Sequence, residues 1–337
     1  MTSKREQIVE VLDRAGLLGA ALAVRRAVRL PWLTVLTYHR VADPSDAGEL
    51  DADVIDATPA DFEAQLALLA EHFRFVGLDD VLAWIGGKPL PPNPVLITFD
   101  DGYRECLTRA LPVLKRYGAR AAFFVPTWYV SERRLFWWDR IALILRRSAK
   151  KRIELRYPRP LTIEGLPSAL RLVKTHKGLD VDRFVDELAA RAGVELSRES
   201  ERALVDQSLL TWAEVRELVA AGMDIGSHTR THRVLGTLEN GELEREIAGS
   251  RAELEAEIGC PAVSMAYPVG YSIDGNVRRA LVRAGYRIGF TNQTTVAWTA
   301  GRVDPFGLDR LAMYRGRSAR AFRALMAFPP LVPQRRT

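Results

Sequence analysis

The run Val95-Leu-Ile-Thr-Phe-Asp-Asp-Gly-Tyr103 decides how this chain is read. Val95 to Phe99 are apolar or β-branched at both parities, so the strand they form belongs in a sheet covered on both faces. Two adjacent carboxylates, Asp100 and Asp101, follow directly. Two charges at the end of a buried strand are costly unless something holds them charged. Neighbouring side chains on a strand point apart, but a turn at Gly102 lets both face one cavity. A metal ion accounts for one carboxylate and proton transfer for the other. Capping of the following helix is the alternative reading.

Outward from this run, short apolar segments alternate with helical patterns. Strands are expected over residues 33–38, 73–76, 95–99, 121–125, 223–227, 263–267, 287–291 and 310–314. Helices are expected over 59–72, 78–85, 103–117, 211–221, 239–258 and 274–284. In the fifth of these, Leu243, Ile247, Leu254 and Ile258 repeat at helical spacing and make one apolar face. Such alternation implies parallel strands with right-handed crossovers, in a barrel or a doubly wound sheet. The rhythm breaks over residues 128–210, which read as a mostly helical, charged insertion with Trp137 and Trp138 near its start. Its basic cluster, Arg146, Arg147, Lys150, Lys151 and Arg152, reads first as a solvated face and second as a glycan or membrane contact.

A second polar signal is Asp224-Ile-Gly-Ser-His-Thr-Arg-Thr-His232, which holds two of the chain's 5 histidines. His228 and His232 are four apart, a spacing expected to put both imidazoles on one face of a helical turn. Two imidazoles and a carboxylate suit zinc or another divalent metal with positions left open for water and substrate. A third signal, Met265-Ala-Tyr-Pro-Val-Gly270, shapes a turn able to aim a backbone N–H, that of Val269, at a developing oxyanion. His39, in Leu36-Thr-Tyr-His-Arg-Val41, is the fourth. All four lie at the C-terminal ends of expected strands, the edge where parallel α/β folds gather their sites.

The chain's 337 residues are 47% apolar and 27% charged, which bounds it as a soluble globular protein. A net charge of +6 is modest. It reads as a solvated basic surface, and no nucleic-acid partner is expected. Two cysteines in no ligand spacing exclude a disulfide framework and read as buried free thiols. The apolar stretch Ala15 to Val24 is too short to span a bilayer and lacks a secretory cleavage pattern. It reads as a packed helix or as a basic helix on a membrane surface. A cytoplasmic protein, peripheral to the membrane's inner face, is expected.

These motifs resemble those of the polysaccharide deacetylases, the NodB-homology group also called carbohydrate esterase family four. The family's Thr-Phe-Asp-Asp-Gly motif stands at Thr98 to Gly102, its His-x-x-x-His motif at His228 to His232, and its Pro-x-Gly turn within Tyr267, Pro268, Val269 and Gly270. The resemblance covers roughly residues 33–314 apart from the insertion. It implies an α/β fold, a distorted (β/α)7-type barrel spanning 31–320. A helical segment over 1–30 would precede it, the helical insertion would lie at 128–210, and a tail over 321–337 would follow.

The resemblance also implies that Asp100 is the general base and that Asp101, His228 and His232 hold a divalent metal. That metal would be zinc first, with cobalt, nickel or manganese as alternatives. Where the third motif often carries an Arg that orients the base, this chain has Ala266. Arg310 is expected to substitute, as in the exopolysaccharide-synthesis branch. The last motif's general-acid His is absent around Leu311-Ala-Met-Tyr314, so His39 is expected to protonate the leaving amine. The implied activity is N-deacetylation of an amino-sugar glycan or a lipid-linked oligosaccharide. A deformylase or small-molecule amidohydrolase on the same barrel, and a silent glycan-binding protein, are the alternatives. Nothing in the sequence specifies an oligomeric state.

Overall fold

A computed structural model describes residues 4–28, 32–270, 273–293, 297–298 and 303–328. The expected segment 1–30 and tail 321–337 therefore lie partly outside the described residues. Eight strands run in one sheet: β1 (Trp32–Tyr38), β2 (Arg74–Phe75), β3 (Pro94–Phe99), β4 (Ala121–Val125), β5 (Asp224–Ser227), β6 (Ser264–Ala266), β7 (Ile288–Phe290) and β8 (Leu311–Ala312). A ninth, Ala297–Trp298, pairs antiparallel with the start of β1. The order β7-β6-β5-β4-β3-β1 is parallel throughout. Strand β2 lies along the start of β3. Leu308 bridges Phe290 in parallel, and β8 pairs in parallel with β1. The segment from Leu308 to Ala312 thus ties the last strand back to the first, and the sheet curls into a distorted barrel.

Strand parity sorts the core. Leu33, Val35, Leu96, Ala122, Phe124, Ala266, Ile288, Phe290 and Leu308 form one apolar cluster enclosed by the curl. Leu36, Tyr38, Ile97, Phe99, Ala121, Phe123 and Val125, of the other parity, join a larger cluster under the helices. Both faces of the central strands are apolar for that reason.

The helices, in chain order, begin with α1 (Lys4–Arg14), α2 (Leu17–Ala27), α3 (Pro59–His72), α4 (Leu78–Ile85) and α5 (Leu111–Arg116). Next come α6 (Thr127–Glu132), α7 (Trp137–Arg147), α8 (Leu166–Thr175), α9 (Val181–Ala192), α10 (Arg198–Ser208) and α11 (Trp212–Ala220). The last are α12 (Asn240–Glu244), α13 (Ser250–Ile258), α14 (Gly275–Ala284) and α15 (Ala319–Ala327). Thr58 caps α3 by accepting from the Asp61 N–H, and Asp274 caps α14 by accepting from the Asn276 and Val277 N–H groups. The helix expected over 239–258 is interrupted by one π-helical turn, Arg245–Gly249, between α12 and α13. A second π turn, Cys106–Ala110, precedes α5.

Between β4 and β5 the chain makes α6 to α11. It also makes a small antiparallel ribbon, Ile153–Leu155 with Leu161–Ile163, in the stretch read from sequence as helical. β-Branched Ile153, Thr162 and Ile163, flanking a Pro-containing turn, favour strand there. Helices α7 and α10 are joined by a buried ion network: Glu201, 2% exposed at its side chain, accepts from Arg134 Nε at 2.8 Å and is ion-paired with Arg140, whose Nε lies 2.9 Å away. The basic cluster of this region is only partly free, since Arg147 and Arg152 pair with Glu49 and Glu164.

Helices α1 and α2 pack on α15, with Leu18 and Leu22 buried. Arg25 is buried among Trp32 and Phe73, its guanidinium 4.7 and 4.9 Å from their ring centroids. No described helix is long and apolar enough to cross a membrane. The reading of two buried thiols is corrected at one position: Cys106 is buried, and Cys260, at the exposed end of α13, is not.

Candidate active site

Asp100 stands where β3 leaves the sheet, on the parity that faces the enclosed cluster. Arg310, immediately before β8, meets it with two parallel hydrogen bonds of 2.8 Å, Nη1 to Oδ1 and Nη2 to Oδ2. Both side chains are essentially inaccessible, at 0% and 1% exposure. The guanidinium is completed by Thr291 O at 3.2 Å, Asn292 Oδ1 at 3.0 Å and Thr98 Oγ1 at 3.3 Å, and it lies over Phe124 and Phe290. Burial alone would raise the Asp100 pKa. Arg310, with His228 and His39, overrides it and holds the carboxyl below its ordinary value. A fork–fork pair also fixes the carboxylate plane.

Asp101 has φ +69° and Gly102 has φ +68°. The left-handed conformation at Asp101 swings its carboxylate out of the strand alternation and into the cavity, at a local backbone cost. His228 and His232 also depend on such residues, Thr229 at φ +64° and His232 itself at φ +52°. The helical turn expected from the four-residue spacing is not there: the segment after Ser227 is a loop. Strained turns bring the rings together instead, with centroids 4.7 Å apart. Glu246, on the π turn, braces this loop by accepting from Arg230 N at 2.9 Å, Thr231 N at 2.8 Å and Thr231 Oγ1 at 2.6 Å.

The three side chains converge. Asp101 Oδ1 lies 3.5 Å from His228 Nε2 and 3.3 Å from His232 Nε2, and one donor atom from each lies within 4.8 Å of the others. His228 Nδ1 is 2.8 Å from Ala266 O. A carbonyl can only accept, so Nδ1 carries the proton and Nε2 turns its lone pair to the cluster. Burial holds the His228 pKa down to about 4 and that of His232 well below its ordinary value, so both rings are neutral. Burial, together with Asp100, Asp139 and Asp56, pushes Asp101 up to about 7 against the pull of His39. Asp101 Oδ1 is buried with no hydrogen-bond donor among the described residues. A buried carboxylate oxygen without a donor, faced by two neutral imidazoles, fits a divalent cation.

His39, just after β1, faces the same cavity of about 550 Å³. Its Nδ1 is 2.9 Å from Asp56 Oδ2. Burial opposes a charge on the ring, but Asp56 outweighs it and, with Asp101 and Asp100, raises the His39 pKa to about 9. Of the turn residues, Val269, at φ +64°, lines the cavity. Tyr267 instead sends its hydroxyl to Phe306 O at 3.0 Å. Gly270 packs so tightly that an added Cβ would lie 2.3 Å from Asn292 Cβ. Arg310 is behind Asp100 rather than on the cavity wall.

Three contributors escaped the sequence reading. Asp56 sits in an acidic stretch with no motif around it. Asn292, at the C-terminal end of β7, obeys the same edge rule as the other signals. Trp138 packs tilted against the His232 ring, centroids 4.4 Å apart, and Trp137 Nε1 donates to His232 O at 3.3 Å, so the insertion helps build the site.

The chain matches the polysaccharide deacetylase family over residues 87–289. It is 31% identical over 93 residues to the poly-beta-1,6-N-acetyl-D-glucosamine N-deacetylase of Escherichia coli (strain K12), a stretch covering 26% of this chain and 13% of that protein's length. Among solved structures it resembles the Streptococcus pyogenes deacetylase PplD in complex with acetate, with a TM-score of 0.56 at 18% identity over 87% of this chain and 95% of that one. It also resembles IcaB from Ammonifex degensii, with a TM-score of 0.56 at 19% identity over 89% of this chain and 97% of that one. These structural likenesses show the distorted (β/α) barrel. The family match spans more than half of the chain, and the chain belongs to the polysaccharide deacetylases, the NodB-homology hydrolases of carbohydrate esterase family four.

Proposed function

We propose that this protein is a metal-dependent N-deacetylase of an amino-sugar glycan or its precursor. The observation that carries this is the division of labour between adjacent carboxylates. Asp100 is locked and charged by Arg310, while Asp101 shares a buried three-donor cluster with His228 and His232. A divalent ion held by those three, zinc first and cobalt, nickel or manganese in its place, would polarise the acetyl carbonyl and ease deprotonation of a water.

Asp100 takes the proton of the attacking water as its oxygen bonds to the acetyl carbon. Arg310 keeps Asp100 ionised and aimed. The Val269 N–H faces the developing oxyanion. His39, protonated at neutral pH because of Asp56, gives its proton to the amide nitrogen as the C–N bond breaks, and acetate and a free amine leave. The retained base and acid argue against a silent glycan-binding protein, which needs neither.

Helix α8, which walls one side of the cavity, supports a short glycan or small molecule over the middle of a long polymer, and keeps a small-molecule amidohydrolase as the second reading. Exposed Ile8, Val11, Leu17 and Val24 on α1 and α2 support peripheral contact of that end with a membrane surface, and with it a biosynthetic role on the cytoplasmic side. The reading divides the chain into a helical lead (1–30), the barrel (31–320) with its insertion at 128–210, and a tail.

The test is acetate release from an N-acetylglucosamine oligomer by protein stripped with a chelator and then given zinc, cobalt, nickel or manganese. Activity that vanishes and returns with metal supports the proposal. Release that ignores the chelator refutes it.

A further inference from the structure

Helix α8 presents Leu166, Leu170 and Lys174, spaced by four, to the cavity that holds Asp101, His228 and His232. Such spacing aligns them on one helix face. Two apolar side chains are thus followed, one turn on, by an ammonium. The apolar part of this wall continues through Pro167 and Trp138. Lys174 is half-buried and makes no hydrogen bond or ion pair with the described residues.

Of the acids that line this cavity, Asp53 is exposed to solvent and the others have contacts of their own. Asp100 is forked by Arg310 and Asp56 is bonded to His39. Asp51 accepts from the Asp53 N–H through Oδ1. Asp101 belongs to the three-donor cluster. Burial lowers the Lys174 pKa, and the charges of Asp51 and Asp101 offset that cost only in part, with no hydrogen bond to the ammonium among the described residues. An arrangement of this kind is completed by an anion arriving with the ligand. Lysine binds phosphate as a compact point charge, and the apolar strip beside it suits a hydrocarbon neighbour.

We infer that Lys174 sets specificity by contacting a phosphate on the N-acylated sugar, with Leu166 and Leu170 lining the side from which that phosphate is approached. The substrate class is therefore a glycosyl phosphate. This rests on the deacetylase reading for the acyl group but not for the anion. The phosphate could be that of a soluble sugar phosphate or the link between a sugar and a lipid. Both present the same chemistry to Lys174. A reaction that forms a glycosyl phosphate must supply such a substrate.

The test is calorimetric binding to the metal-loaded full chain of three probes: methyl N-acetylglucosaminide, N-acetylglucosamine 1-phosphate, and the octyl phosphodiester of the latter. Wild type is expected to prefer the phosphorylated probes about tenfold or more. Lys174→Met should collapse that preference, and Lys174→Arg, which keeps the charge, should retain it. The variants separate Lys174 from phosphate contacts made to the metal. Tighter binding of the octyl diester would assign a lipid-linked source and equal binding a soluble one, and both sustain the Lys174 assignment. Equal affinity for neutral and phosphorylated sugars in wild type, or a preference undiminished in Lys174→Met, overturns it. Acetate release measured on the same probes is a separate readout: its absence would refute the deacetylase reading while the affinities still decide Lys174.

Discussion

Asp100 and Asp101 are neighbours in sequence and opposites in environment. Arg310 keeps one charged, while burial without a donor pushes the other up to about 7. Removing Arg310 strands a buried charge, so Arg310→Ala should destabilise the fold by about 3–5 kcal/mol in urea titrations and also abolish acetate release. At His39 the sign of the pH effect is fixed by Asp56. With the ring pKa raised to about 9, the acid stays protonated through neutral pH, and activity should fall as pH rises through about 9. Asp56→Asn should pull that alkaline limb toward the ordinary histidine value near ~6.5, as read from kcat/KM profiles. The raised His39 pKa contributes stability that is fully present below the unfolded value near ~6.5 and is lost as pH rises through the folded pKa of about 9.

At the scale of elements, the site depends on turns and bulges that break regular structure. Strand positions and most helix limits could be read from the sequence, because apolar runs and caps are local signals: α3 and α4 span the residues expected of them. The path of the His228 to His232 loop was not readable from spacing. Its left-handed residues include Thr229 and His232, neither of which advertises a positive φ as glycine does. The π turn that aims Glu246 at this loop has no local sequence mark either. Glu246→Gln weakens a brace of the ligand loop and should lower metal affinity about ten- to hundredfold by competition against a fluorescent chelator, with the fold intact. Gly270→Ala puts a Cβ into Asn292 at φ +72°. It should cost about 1–3 kcal/mol and reduce activity by moving the Val269 turn.

For the molecule as a whole, the four polar signals expected at strand ends do meet on one cavity at one edge of the barrel, as strand-end signals in a parallel fold must. The contribution of residues 127–208 was not foreseeable in the same way. Trp137, Trp138 and α8 reach the cavity only through tertiary packing, and Asp56 reaches His39 across 17 residues of chain. The insertion is held by Arg134 and Arg140 on Glu201. Glu201→Ala should cost about 3–5 kcal/mol, seen as an earlier urea transition in tryptophan fluorescence.

The most direct measurement takes metal content and acetate release from one sample of Asp100→Asn beside wild type. The account expects the variant to hold metal at the wild-type stoichiometry while kcat falls about 10²–10⁴-fold, because Asp100 moves protons and Asp101, His228 and His232 bind the ion. An Asp100→Asn protein that carries its metal and still releases acetate at the wild-type rate would contradict it.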